Sequence, residues 1–265
     1  NVGNNDAIII EPGTKNERIE PYGRFIYLEV GNGDFYPYEI KFASRNGSKV
    51  RTRPYQGDLV PVSLDFKAKN MPRYLVVKGT GENDQFYFNA MNATKKLVWV
   101  PSGNYTVNFG YFALGNDYKK DGFAIIGPGR SSPLVAETGK QAIWKLAAAG
   151  EKGLWMTADI ERLGDEVKVV GKSLRIFGCN GEEYHNFYPH RIMPSVEFRK
   201  TDGKGPVLLK KDMTVVPGNV QIKELWWPAD LAVKGVGKND KVVVKLKLDH
   251  PMLGPVESDW LAVKQ

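Results

Sequence analysis

The sequence has one cysteine, three histidines and no apolar run long enough to cross a membrane as a helix. A lone Cys cannot close an intramolecular disulfide, and it cannot furnish a multi-cysteine zinc or iron–sulfur site. Without an apolar stretch of about 18–20 residues, no transmembrane helix is expected. Lys and Arg never run five or more together, so nucleic acid is not expected as a partner despite a net charge of +7 and a pI near 9.2. Neither a phosphate-cradling Gly-x-x-x-x-Gly-Lys-Ser/Thr loop nor a Gly-x-Ser-x-Gly elbow occurs. Helical periodicity is almost missing as well.

What is present is a chain of 265 residues with 28 Gly and 16 Pro, and 42% apolar residues, too many for a disordered chain. Short β-branched and aromatic runs recur between Gly, Pro, Asn and Asp clusters, the pattern of a sandwich or barrel. Ala7–Ile10, Phe25–Val30, Leu59–Phe66, Tyr74–Val77, Gln85–Phe88, Leu97–Val100 and Tyr105–Phe112 read as strands in the first half. In Tyr105–Phe112, alternation puts Tyr105, Val107, Phe109 and Tyr111 on one face. Ile143–Leu146, Val167–Val170, Leu174–Phe177, Val196–Phe198, Val207–Leu209, Val220–Leu225, Lys241–Leu248 and Trp260–Val263 read as strands in the second. Lys140–Ala149 fits a short helix or a strand equally well.

Residues 127–133, with two Pro, two Gly and two Ser, interrupt the series. Phe and Tyr dominate the aromatics before this break, and Trp those after it. We therefore expect an all-β protein of two tandem antiparallel β-sandwich domains, immunoglobulin-like or prealbumin-like. Residues 1–127 form the Tyr/Phe-rich domain, 128–139 a Pro/Gly/Ser linker, and 140–265 the Trp-containing domain.

One hairpin has a family likeness. Pro101, Gly103, Tyr105 and Val107 spell a Pro-x-Gly-x-Tyr-x-Val pattern that resembles the hairpin of transthyretin-like and carboxypeptidase-regulatory-like β-sandwich domains. The resemblance spans residues 97–107, implies a tight turn feeding a strand whose Tyr packs inward, and implies no activity.

The densest set of reactive groups lies between Cys179 and His190, where two His, the Cys and two Glu fall within twelve residues. His185, His190, Glu183 and Cys179 are candidate ligands for a divalent metal, since imidazole, carboxylate and thiolate suit zinc and its neighbours. Cys179 is also a candidate nucleophile beside a histidine. Pro189 keeps the two His from sharing a helical face. The plainer reading of the stretch is a polar, aromatic loop between two strands, with Asn180-Gly181 as a hairpin turn and Tyr184 and Tyr188 as ligand contacts. His250, before Pro251, reads as a turn residue.

Acids at Asp159, Glu161, Asp165 and Glu166, and at Glu82 and Asp84, would suit a glycosidase pair, but Gly164-Asp165 reads more simply as a turn. Trp226 and Trp227 are neighbours, so in a strand one indole enters the core and the other faces outward. The outer one covers the first domain or offers a platform for sugar or protein. The expected function is a non-catalytic binding or structural module with a carbohydrate or protein ligand. The alternative is a metal-binding or hydrolytic enzyme built on the Cys179–His190 segment. A chain that opens on Asn1 and has no disulfide framework reads as exported, at a cell surface, in a periplasm or secreted, with the cytoplasm as the other option.

Overall fold

The computed structural model of the chain describes residues 7–15, 17–42, 50–115, 122–188, 191–201, 203–215 and 228–263. Among these residues the protein is all-β, and helix is confined to two 3-10 turns, Gly81–Asn83 and Ala90–Thr94. The first-half strands are β1 (Ala7–Ile10), β2 (Arg18–Pro21), β3 (Phe25–Val30), β4 (Asp34–Phe42), β5 (Val50–Pro54), β6 (Leu59–Lys67), β7 (Tyr74–Gly79), β8 (Tyr87–Asn89), β9 (Val98–Pro101), β10 (Gly103–Ala113) and β11 (Phe123–Gly127). They are followed by β12 (Leu134–Ala136), β13 (Ala142–Ala147), β14 (Trp155–Leu163), β15 (Glu166–Phe177), β16 (Glu183–Tyr188) and β17 (Ser195–Lys200). The last are β18 (Val207–Asp212), β19 (Leu231–Val233), β20 (Val242–His250), β21 (Gly254–Glu257) and β22 (Leu261–Ala262).

Three hydrogen-bonded sheets result. β1 and β2 form a ribbon, and β13-β6-β9-β4-β3 form a second sheet with β5 added on β4. The third sheet runs β18-β17-β20-β21-β14-β15-β16-β11-β10-β7-β8, with β12, β19 and β22 paired at its sides. Sequence alternation explains which faces meet. In β6, Val60, Val62, Leu64 and Phe66 are buried while Pro61, Ser63 and Asp65 face outward. An aromatic layer closes the gap between the two larger sheets: Tyr27 of β3 lies 5.0 Å from Phe88 of β8, Trp144 of β13 lies 5.3 Å from Tyr105 of β10, and Phe66 of β6 lies 6.1 Å from Phe112 of β10. Each such side chain, taken out of water, contributes roughly 1.5–3 kcal/mol.

Tyr105 is fully buried, and its Oη donates to the Pro101 carbonyl at 2.7 Å, so the phenol enters the core with its polar end satisfied. The expected single face along this strand does not persist. The register on β7 shifts between Val107 and Phe109, leaving Asn108 as an extra residue. A one-residue bulge exchanges the two faces, so Tyr105 and Val107 are inward before it, and Phe112 is inward after it. Phe109 and Tyr111, expected inward, are only partly buried.

Lys140–Ala149 resolves as strand. β13 lies parallel to β6 from Ala142↔Val62 to Ala147↔Lys67. Trp144 and Leu146 enter the core, Ile143 and Lys145 stay outside, and the Trp144 indole donates to the Val135 carbonyl at 2.9 Å. A ready ladder on β6 outweighs a weak local helical preference.

The expected linker is also part of the sheet structure. β12 pairs with β10, burying Leu134 and Ala136, and β11 pairs with β16 of the second half. Buried residues from Phe25 to Val256 belong to one connected cluster. Residues 128–139 touch both halves: Leu134 and Ala136 belong to that cluster, and Arg130 and Ser132 N–H donate to the Gly181 and Asn180 carbonyls at 2.8 and 3.0 Å. Val220–Leu225 lies outside the described residues.

Candidate functional site

The Cys179–His190 segment begins as expected and then departs. Gly178 N–H donates to the Glu182 carbonyl and Gly181 N–H to the Gly178 carbonyl, at 2.8 and 3.0 Å, so residues 178–182 turn β15 back into β16. Gly181 has φ +92°, a conformation that favours glycine. Beyond the turn, Glu183–Tyr188 is strand rather than loop, since β16 finds partners on both β15 and β11.

This turn is organised by Glu182, which is fully buried. Its Oε1 accepts from Ala147 N–H at 2.5 Å and from Tyr184 Oη at 2.9 Å, and its Oε2 accepts from Asn180 N–H at 3.2 Å. Burial raises its carboxyl above the usual range, against the pull of those donors. Tyr184 is sealed inside with 1% exposure, its ring 6.1 Å from Phe112. It is a core residue whose phenol is taken up by Glu182.

Cys179 is half-buried, its N–H donating to the Ala147 carbonyl at 2.8 Å and its sulfur packed by Gly150. Burial first, and the nearby Glu182 carboxylate second, push the thiol upward. A nucleophile needs the opposite shift. Glu183 faces outward and pairs with Arg175 at 3.3 Å, and His185 stands two residues further along the same strand. Tyr188 is partly buried, 5.9 Å from Phe123. His190, Trp226 and Trp227 lie outside the described residues. Among the described residues, no group of three His, Cys, Asp or Glu side chains is placed to hold a metal ion.

The other acids have structural partners. Gly164, with φ +63°, and Asp165 make the turn between β14 and β15; Glu161 pairs with Lys168 at 3.2 Å and Glu166 with Lys234 at 3.6 Å. Glu82 sits in the first 3-10 turn and Asp84 caps its end. His250 is buried at the end of β20, where Nδ1 accepts from Met252 N–H at 3.3 Å, so it holds a turn, as its sequence context implies.

The aromatic surface that does form was not among the expected sites. On the outer face of the six-stranded sheet, Tyr36 of β4 lies parallel to Trp99 of β9, with centroids 5.4 Å apart and planes 10° apart. Val98 and Val100 point into the core, so alternation drives Trp99 outward. Both rings are partly exposed. Asp34 fixes the indole: Oδ2 accepts from Trp99 Nε1 at 3.3 Å and from Asn32 Nδ2 at 2.9 Å, and Oδ1 accepts from Leu97 N–H at 3.2 Å. Although burial works against the charge, these donors and Lys96 hold the Asp34 carboxyl below its ordinary value. Lys96 Nζ in turn donates to the Asn32 carbonyl at 3.1 Å. Pro61, opposite Trp99 in the ladder, and Leu28, opposite Tyr36, extend the strip across neighbouring strands. The signal in the sequence was one Trp between two inward Val residues; its partner Asp34 stands 65 positions earlier, out of reach of any local pattern.

No family model matches this chain, and neither a curated protein nor a solved structure matches it.

Proposed function

We infer that the protein is a non-catalytic, exported binding module whose ligand is a glycan held on the Tyr36–Trp99 face. The parallel ring pair is the observation that carries this reading. A pyranose presents C–H groups on its flat face, and a rigid aromatic surface receives them with little loss of conformational entropy. Asp34 sets the indole in place, while Asn32 and Lys96 put polar groups at its rim, where sugar hydroxyls need partners. An outward-facing pair on a sheet, rather than on a loop, is also already ordered before the ligand arrives.

Binding is favoured over hydrolysis because the acids of 159–166 and the buried Glu182 are engaged in turns and ion pairs. It is favoured over metal ligation because Glu183 is taken up by Arg175 and burial pushes the Cys179 thiol upward, away from the thiolate a metal needs.

The test is a glycan array followed by titration of the strongest hit into wild type and Trp99→Ala. Saturable binding by wild type, lost in Trp99→Ala with an unchanged melting temperature, is the expected outcome. A blank array for wild type, or undiminished binding by the variant, would overturn the reading.

A further inference from the structure

A second concave site lies away from the aromatic face and shares none of its residues. It arises where two backbone irregularities oppose each other. In the ladder between β14 and β15, Thr157 pairs with Arg175 but Asp159 pairs with Val170, so residues 171–174 loop out of the sheet. The loop is pinned rather than slack. Ser173 Oγ donates to the Val170 carbonyl at 2.6 Å and accepts from Asp159 N–H at 2.7 Å, while Asp230 Oδ1 accepts from Gly171 N–H at 2.9 Å. Across from it, β16 changes register on β11 between His185 and Tyr188, with Asn186 at φ +54°. Bulges re-aim side chains and concentrate beside binding sites, and a non-glycine residue held at positive φ is a cost that the surrounding structure must support.

Between them lies a cavity of about 330 Å³, lined by Lys172, Arg175, Glu183, His185, Asn186 and apolar neighbours. That is the lower end of small-molecule pockets, the size for one sugar-sized ligand. Arg175 is pre-aimed, because Nη1 donates to the carbonyls of Lys172 and Leu174 at 2.9 and 2.8 Å and Nε faces Glu183 at 3.3 Å. Nη2 of this paired guanidinium makes no hydrogen bond among the described residues, and the Lys172 ammonium and the His185 imidazole make neither a hydrogen bond nor an ion pair there. His185 is held by packing instead, with Gly127 leaving the room its ring needs: a Cβ there would stand 3.1 Å from Nε2.

We propose that this cavity binds a small monocarboxylate of monosaccharide size, with Lys172 and Arg175 Nη2 on the carboxylate and His185 and Asn186 on neighbouring hydroxyls. Two cations against the single Glu183 carboxylate leave one positive charge, which matches a monoanion. A dianion would bring excess negative charge against Glu183. The planar guanidinium also suits a carboxylate better than a tetrahedral oxyanion-bearing ligand of higher charge.

The experiment is calorimetric titration of the full chain with D-glucuronate, D-glucose and inorganic sulfate. Lys172→Gln is the main variant, because Arg175 also ties down the 171–174 loop and its loss would disturb the fold; His185→Ala is the second. Glucuronate should saturate, glucose should not bind, and sulfate should bind more weakly than glucuronate. Lys172→Gln should weaken glucuronate about tenfold, the scale of one charge-assisted contact, with melting temperature unchanged. The proposal is overturned if glucose binds as well as glucuronate, if sulfate binds as tightly, if wild type shows no saturation, or if both variants bind as wild type does. Failure of the aromatic-face reading would leave this result unaffected, since Trp99→Ala keeps every residue of the cavity.

Discussion

Glu20 carries a pH-dependent contribution in the neutral range that the structure lets one quantify. It lies in β2 with no exposure, its Oε1 accepting from Asn92 Nδ2 at 2.6 Å and its Oε2 from Asn89 N–H at 3.3 Å. These contacts tie β2 to the Ala90–Thr94 turn. Burial outweighs both hydrogen bonds and the charge of Arg18, and it lifts the carboxyl from 4.5 to about 7. The folded protein thus holds this proton more tightly than the unfolded chain does. Stability from Glu20 is fully present below about pH 4.5 and is lost as pH rises through about 7. The size of that loss is roughly 3 kcal/mol. Urea unfolding of wild type and Glu20→Gln at pH 4 and pH 8, followed by tryptophan fluorescence, isolates it. Glu182, raised in the same direction, titrates in both proteins and cancels in the comparison. Wild type should lose roughly 3 kcal/mol more than the variant between the two pH values. Parallel losses, within about 0.5 kcal/mol, would refute the assignment.

Two further outcomes concern buried polar groups. Among the described residues the buried Tyr27 hydroxyl has no hydrogen-bond partner, so Tyr27→Phe should stabilise the protein by about 1 kcal/mol in urea unfolding, since an unpaired buried hydroxyl carries a desolvation cost; a destabilised variant would show that the hydroxyl is satisfied. Cys179 should alkylate with iodoacetamide at pH 7 more slowly than a free thiol, because burial pushes its thiol upward; a rate equal to that of free cysteine would contradict the arrangement.

The strands most legible in the sequence were those in which apolar residues alternate strictly with outer ones. β6 and β20 are examples: in the latter Val242, Val244 and Leu246 are buried as their spacing implies. β4 was hidden by Pro37, which normally argues against a strand, yet Pro37 keeps its carbonyl in use by accepting from Tyr55 N–H at 3.0 Å. β14 and β16 were hidden by polar composition. Asp159, Glu161 and Arg162 face outward or into ion pairs, and Glu183, His185 and Asn186 line a cavity, so neither strand looks like half of a core. Bulges at Asn108 and near Asn186 leave no composition signal, because they depend on the register of a partner strand far away in sequence. The same holds for the site. Tyr36, Trp99 and Asp34 are brought together by a single parallel bridge, Phe35↔Val98, that no local pattern announces. Arg175 and Glu183, by contrast, come close through a hairpin whose Asn180-Gly181 turn was readable.

The most direct test of the proposed glycan surface is the Trp99 indole itself. In a two-dimensional NMR titration with the strongest-binding oligosaccharide, the Nε1–H resonance of Trp99, held on Asp34 at 3.3 Å, should shift and saturate together with the calorimetric isotherm, while that of the buried Trp144 stays in place. A saturating isotherm that leaves the Trp99 resonance unmoved would contradict the account.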